Sequence, residues 1–198
     1  MNTVKAVVAT LAAAAAFGLV SAPSASAADT SDLLKACKIT ENASVQELAI
    51  DLTLDEGDVL KMINDYRAEN GVAPVEFDRQ VTSAAVIASH DSILRGFTPA
   101  DHVDSLGRGP GERLADCGIQ NVSWGEIAYP RIDEGQSPQF EVSQSGAGAF
   151  EAWKNSPPHR AIMLDPTYTK VGIALGYNGE IGQVTDWNRV AWTADFTS

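Results

Sequence analysis

An α+β domain is encoded in this chain of 198 residues, and two changes of hydrophobic spacing carry that inference. Apolar residues recur at intervals of three and four through most of the chain, then alternate with a period of two near its end. Helices followed by a terminal hairpin are the pattern of an α+β fold. Composition agrees: 44% hydrophobic and 20% charged residues are the proportions of an ordinary globular protein, which sets aside collagen-like, low-complexity and wholly disordered chains.

The first element is not part of the fold. Residues 1–27 carry one charge, Lys5, followed by an almost wholly apolar run and the small-residue end Ala25-Ser26-Ala27, which reads as a secretory signal peptide. The apolar run is about 15 residues, shorter than the ~20 needed to span hydrocarbon, so no transmembrane segment is expected after cleavage. Residues 28–54 read as an N-terminal extension and 55–198 as the main domain. Net charge is −12, from 14 basic against 26 acidic residues; losing Lys5 makes it more negative. Such acidity disfavours nucleic acid and anionic lipid as partners and favours cations or neutral ligands.

Within the domain, Thr53-x-x-Glu56 has the form of a capping box. Val59, Leu60, Met62, Ile63 and Tyr66 then predict a helix over about 55–70, stopped by Gly71. Asp78 caps a second helix whose face carries Val81, Ala84, Ala85 and Ala88, ending near Gly96. His90 falls opposite that face and is expected at the surface. Residues 97–114 are rich in Gly, Pro and charge and read as an irregular loop containing His102. A third helix is expected over 140–155, with Ala149, Phe150 and Trp153 on one face, and a brief one from His159 through Leu164 after Pro157-Pro158. Val171, Ile173, Leu175 and Tyr177 alternate with small residues, as do Val190, Trp192, Ala194 and Phe196 with Ala191, Thr193 and Asp195; two antiparallel strands follow.

Familiar catalytic motifs are absent from the sequence: it has no H-E-x-x-H helix, no G-x-S-x-G elbow and no P-loop. Cys37 and Cys117, an even pair without C-x-x-C spacing in an exported chain, are expected to form a disulfide. Glu126 lies among Trp124, Gly125, Ile127, Ala128 and Tyr129, a setting in which an unpaired carboxylate would cost several kcal/mol. It therefore needs partners: a histidine or metal on one reading, backbone N–H groups or an arginine such as Arg113 or Arg160 on another.

Four segments, Ile63-Asn64-Asp65-Tyr66-Arg67-Ala68-Glu69-Asn70-Gly71, Trp124-Gly125-Glu126-Ile127-Ala128-Tyr129, Ala152-Trp153-Lys154-Asn155-Ser156-Pro157-Pro158-His159-Arg160 and Val171-Gly172-Ile173-Ala174, occur in the order found in the CAP superfamily. The chain resembles its bacterial secreted SCP-like branch over roughly residues 55–196. That resemblance implies an α-β-α sandwich with a small antiparallel sheet between helices. It also implies a cleft of two His and two Glu that in some members binds a divalent cation. His102, Glu126 and His159 match three of the four positions and are the expected ligands of zinc or another divalent cation. The second glutamate position holds Ser156. Glu151 is the nearest carboxylate, about 140° away around a helix, and Ile127 stands where the motif usually has Asn. Glu151, Ser156 and Trp124 are expected to line the cleft.

The function these residues imply is a secreted or cell-envelope protein, expected to be monomeric. It would bind a lipid, cell-wall component or protein through a His/Glu-lined cleft, with no catalytic residue assigned. The alternative is a metal-assisted hydrolase of peptide or glycan, which three ligands and an open position would permit but which lacks an evident general base.

Overall fold

The computed structural model describes residues 54–133, 145–177 and 188–198. The expected signal peptide, nearly all of the N-terminal extension, Thr53 of the capping box and Cys37 lie outside the described residues. Helices α1 (Leu54–Glu69), α2 (Arg79–Arg95), α3 (Pro110–Asp116), α4 (Gly146–Asn155) and α5 (Pro157–Met163) accompany strands β1 (Glu76–Phe77), β2 (Trp124–Asp133), β3 (Lys170–Tyr177) and β4 (Asn188–Thr197). The strands form one sheet in the order β1-β3-β4-β2. All neighbours are antiparallel except β1 and β3, which pair in parallel. The sheet is therefore mixed rather than purely antiparallel, because the two-residue β1 enters through the connection between α1 and α2.

Alternation along β3 and β4 assigns the two faces. Val171 and Ile173 of β3, with Trp192, Ala194 and Phe196 of β4, join Val59 and Ile63 of α1, Ala149, Phe150 and Trp153 of α4 and Met163 of α5 in the main core. The opposite face presents Gly172, Ala174 and Gly176 to α2. The packing there is so close that a Cβ on Gly172 would lie 2.1 Å from the Thr82 nitrogen, and one on Gly176 2.9 Å from the Ser89 oxygen. Ser89 of α2 donates to the Ala174 carbonyl and to Thr193 Oγ1. Helices thus cover both faces of the sheet, giving the α-β-α sandwich.

The element ends have local causes. Asp78 accepts the Gln80 and Val81 N–H groups at the start of α2, and Gly96, at φ 75°, ends it. Ser156 closes α4 and precedes the start of α5, and Pro157 opens α5 at a position where the missing N–H costs nothing. Two residues of the first family-like segment hold the loop after α1. Asn64 donates to the Val75 carbonyl and accepts its N–H. Arg67, fully buried, donates to the carbonyls of Ala73, Met163, Asp165 and Tyr168. One guanidinium thereby fastens the end of α1 to the end of α5.

Two sequence expectations are corrected. Residues 110–114, expected in a loop, belong to α3, whose Pro110 sits at its first position. His90 is half-buried rather than solvated, because α2 buries residues well beyond one stripe, including Thr82, Ser83, Ser89, Asp91 and Ser92; desolvation lowers its pKa from 6.5. Glu56 accepts the Leu175 N–H through Oε1, while Thr53, the other half of the expected capping box, lies outside the described residues.

Candidate functional site

β2 is an edge strand of the sheet, and its residues of even number up to Ala128 face α2 and α3. Glu126 is 7% exposed. Its Oε1 lies 2.6 Å from His102 Nδ1 and its Oε2 2.5 Å from Arg113 Nη2. The carboxylate only accepts, so His102 Nδ1 carries the hydrogen and Nε2 is left as the outward group of the ring. Burial would push Glu126 up, but the His102 hydrogen bond, the Arg113 charge and the neighbouring Asp195 carboxyl outweigh it and hold the carboxyl below the usual carboxylate range.

The loop that carries His102 is irregular but tightly held. Asp104 accepts the N–H groups of Leu106 and Arg108 and the Arg108 Nε. Asp91 of α2 accepts the Ser105 N–H and hydroxyl, and Arg95 donates to the Val103 carbonyl. Arg113 donates to the carbonyls of His102 and Arg108 as well as to Glu126. His102 itself adopts φ 57°, a left-handed conformation that costs a non-glycine residue about 1–3 kcal/mol and persists only where the surroundings impose it. The same arginine therefore fixes the histidine's backbone and its carboxylate partner.

His159 stands near the start of α5, half-buried. Burial and then the charge of His102 lower its pKa from 6.5, so His102 is near enough for its charge to oppose protonation of His159. The strand also explains two motif positions. A Cβ on Gly125 would meet the Tyr168 hydroxyl at 2.9 Å, and that hydroxyl donates to the Trp124 carbonyl. Ile127, in place of the motif's usual Asn, is fully buried in the main core.

Of the expected cleft residues, Trp124 is 46% exposed and lies over α3, where a Cβ on Gly111 would come 2.9 Å from its Nε1. Ser156 forms the joint between α4 and α5. Glu151 is exposed, with Lys154 at 3.8 Å as its ion-pair partner. Cys117 is not a free thiol.

A three-ligand metal centre built on His102, Glu126 and His159 does not fit this arrangement. Both Glu126 oxygens are engaged, one by the Arg113 cation, and no group of three His, Cys, Asp or Glu side chains among the described residues could hold a metal ion. Two imidazoles remain, fewer protein ligands than structural or catalytic zinc sites use. Glu126 instead does what a carboxylate behind a histidine does, fixing its tautomer and ring orientation. Arg113, weighed from sequence only as an alternative partner, is its main counter-charge.

Asp195 was not singled out by sequence. It sits on β4 directly opposite Glu126, fully buried. Its pKa is raised well above the ordinary 3.8 by burial and by the neighbouring Glu126 charge, against the opposing pull of Arg113.

Comparison with known proteins follows the same lines. A 126-residue segment is 27% identical to the Uncharacterized protein YkwD of Bacillus subtilis (strain 168), covering 64% of this chain and 44% of that protein. A 124-residue segment is 27% identical to the Uncharacterized membrane protein YlbC of the same organism, covering 62% of this chain and 32% of the relative. The chain thus spans less than half the length of these curated relatives. Among solved structures, an outer surface protein from Borrelia burgdorferi superposes with a TM-score of 0.51 at 17% identity, over 75% of this chain and 96% of the other, a likeness of fold. Residues 60–196 match the profile of the CAP: Cysteine-rich secretory protein family, and the chain belongs to that family.

Proposed function

We propose that the protein is an extracellular or cell-envelope binding module whose ligand is taken by the His102–His159 side of the β2 edge. One observation carries this reading: Glu126 has each oxygen hydrogen-bonded and one of them charge-paired with Arg113, and so is spent on holding His102 rather than available as a base or nucleophile. What the site offers a ligand is the His102 Nε2, the half-buried His159 imidazole and the exposed Trp124 ring, a set suited to hydrogen bonding and apolar contact. Lipids and cell-wall components are the ligand classes that the family resemblance brings to this chain. Export is supported by the signal-peptide pattern of residues 1–27, and no described helix is long and apolar enough to cross a membrane.

The test is incubation of the purified protein with lipid, wall-glycan and peptide pools, followed by native mass spectrometry and product analysis. Stable co-purification of one class, lost in a His102→Ala, His159→Ala double variant, is expected. A new cleavage product dependent on the same residues would replace the binding reading with a hydrolase.

A further inference from the structure

Asp195 presents a physical contradiction unless it carries a proton. It is fully buried, and among the described residues neither of its carboxyl oxygens has a hydrogen-bond donor in reach while it is ionised. Register places it opposite Glu126 on β2 and opposite Gly172 on β3. Directly opposed residues bring their Cβ atoms within about 4.5–5.5 Å, so two carboxyl groups share one buried space. On the other flank there is no side chain at all. Gly172 admits the backbone of α2 at Val81 and Thr82, which seals Asp195 from that direction. Glu126 and Arg113 are the charged groups that act on it; Arg113 spends Nη2 on Glu126 and Nη1 on two backbone carbonyls, and its buried Nε, though without a partner, makes no hydrogen bond to Asp195. Two like charges in so small a space cannot both persist; one carboxyl keeps its proton, as in paired-carboxylate sites generally. Glu126 holds the stronger partners, so the proton belongs to Asp195.

We propose that Asp195 is a positioning residue of the site, whose carboxyl hydroxyl donates to Glu126 from behind and fixes that carboxylate as the acceptor of His102 Nδ1–H. Glu126 is then held from three sides, by an imidazole, a guanidinium and an acid. Its orientation and charge no longer depend on a ligand. The consequence reaches the cleft through His102: with Nδ1 committed as a donor, the neutral ring presents Nε2 as a lone pair. Asp195 thereby selects the tautomer that the site displays, without touching the ligand. The inference rests on the reading of His102 as a ligand-facing group, but not on what the ligand is.

Nuclear magnetic resonance on the intact, ligand-free protein tests it. The expected spectrum shows an Asp195 carboxyl carbon shift of the protonated acid at neutral pH, identified by its loss in Asp195→Asn, and a His102 nitrogen pattern of one tautomer with Nε2 unprotonated. Asp195→Asn, whose amide also donates, is expected to keep that tautomer and the low-field His102 Nδ1 proton. Asp195→Val, which fills the space without a donor, is expected to lose the low-field signal and mix the tautomers. An ionised Asp195 in the wild type at neutral pH, or a valine variant with the same histidine pattern as the asparagine variant, would overturn the proposal. Should the valine variant fail to fold, the wild-type carboxyl spectrum and the asparagine variant still decide. Because no ligand enters these measurements, a failed ligand screen and a failed Asp195 assignment are separate results.

Discussion

Replacing Arg113 by methionine would leave the Glu126 carboxylate in place without its main counter-charge. The two side chains are 1% and 2% exposed, so little water is available to compensate, and removing one member of a buried pair costs about 3–5 kcal/mol. The same change frees the His102 and Arg108 carbonyls, which loosens the loop that keeps His102 at positive φ. Arg113→Met is therefore expected to lower the unfolding free energy measured in urea by an amount of that size and to weaken ligand capture in whatever fraction stays folded. An unfolding free energy within about 1 kcal/mol of the wild type would place the pair among ordinary exposed ion pairs and remove the structural basis assigned to it. Glu126 was legible in the sequence because its neighbours are apolar, which made an isolated charge expensive. Asp195 was not, although it lies between Ala194 and Phe196, because strand alternation assigned it to a polar face. Only the small residues of β3 hint that this face is covered: a helix packs against Gly172, Ala174 and Gly176 and excludes water from the neighbouring strand.

At the scale of elements, the long periodic segments were readable and the edges were not. α1, α2, β3 and β4 each carry an unbroken apolar spacing, and their described limits lie within a few residues of those expected. β2 was missed because Gly125, Glu126 and Pro130 interrupt a strand pattern. Each is permitted for a physical reason: Tyr168 occupies the space of the missing Cβ at Gly125, the buried partners neutralise Glu126, and an edge strand tolerates a proline. Glycines at two positions make opposite predictions that test this packing. A Cβ at Gly172 would lie 2.1 Å and 2.2 Å from backbone atoms of α2, which cannot rotate away, so Gly172→Ala is expected to destabilise by about 3 kcal/mol or more. A Cβ at Gly57, inside α1, meets nothing within 4 Å, and Gly57→Ala is expected to stabilise by roughly 0.5–1 kcal/mol through lower unfolded-chain entropy. Thermal melting of both variants checks the pair, and equal shifts of the same sign would contradict the close approach of α2 to the sheet.

Over the whole molecule, stability in acid depends on how many ionisable groups the sandwich withdraws from water. Glu126 and Asp78 are held below their ordinary values of 4.5 and 3.8; in Asp78 burial opposes the bonds from Lys170, Val81 and Gln80 that prevail. Their contributions are present above those values and are lost as pH falls through the lower, folded ones. Asp195 has the opposite sign, since its raised folded pKa costs stability as pH rises above 3.8. His90 acts earlier than the depressed carboxylates on acidification. Burial lowers its pKa from 6.5, so below pH 6.5 the unfolded chain binds a proton that the folded one still refuses, and folding weakens as pH falls toward the folded value. Because the other groups remain in both proteins, subtracting the urea midpoints of His90→Gln from those of the wild type isolates this residue. The variant is expected to gain on the wild type steadily between neutrality and about pH 5. A difference that stays constant over that range would mean that His90 titrates as it does in the unfolded chain, and that the outer side of α2 is open to water there.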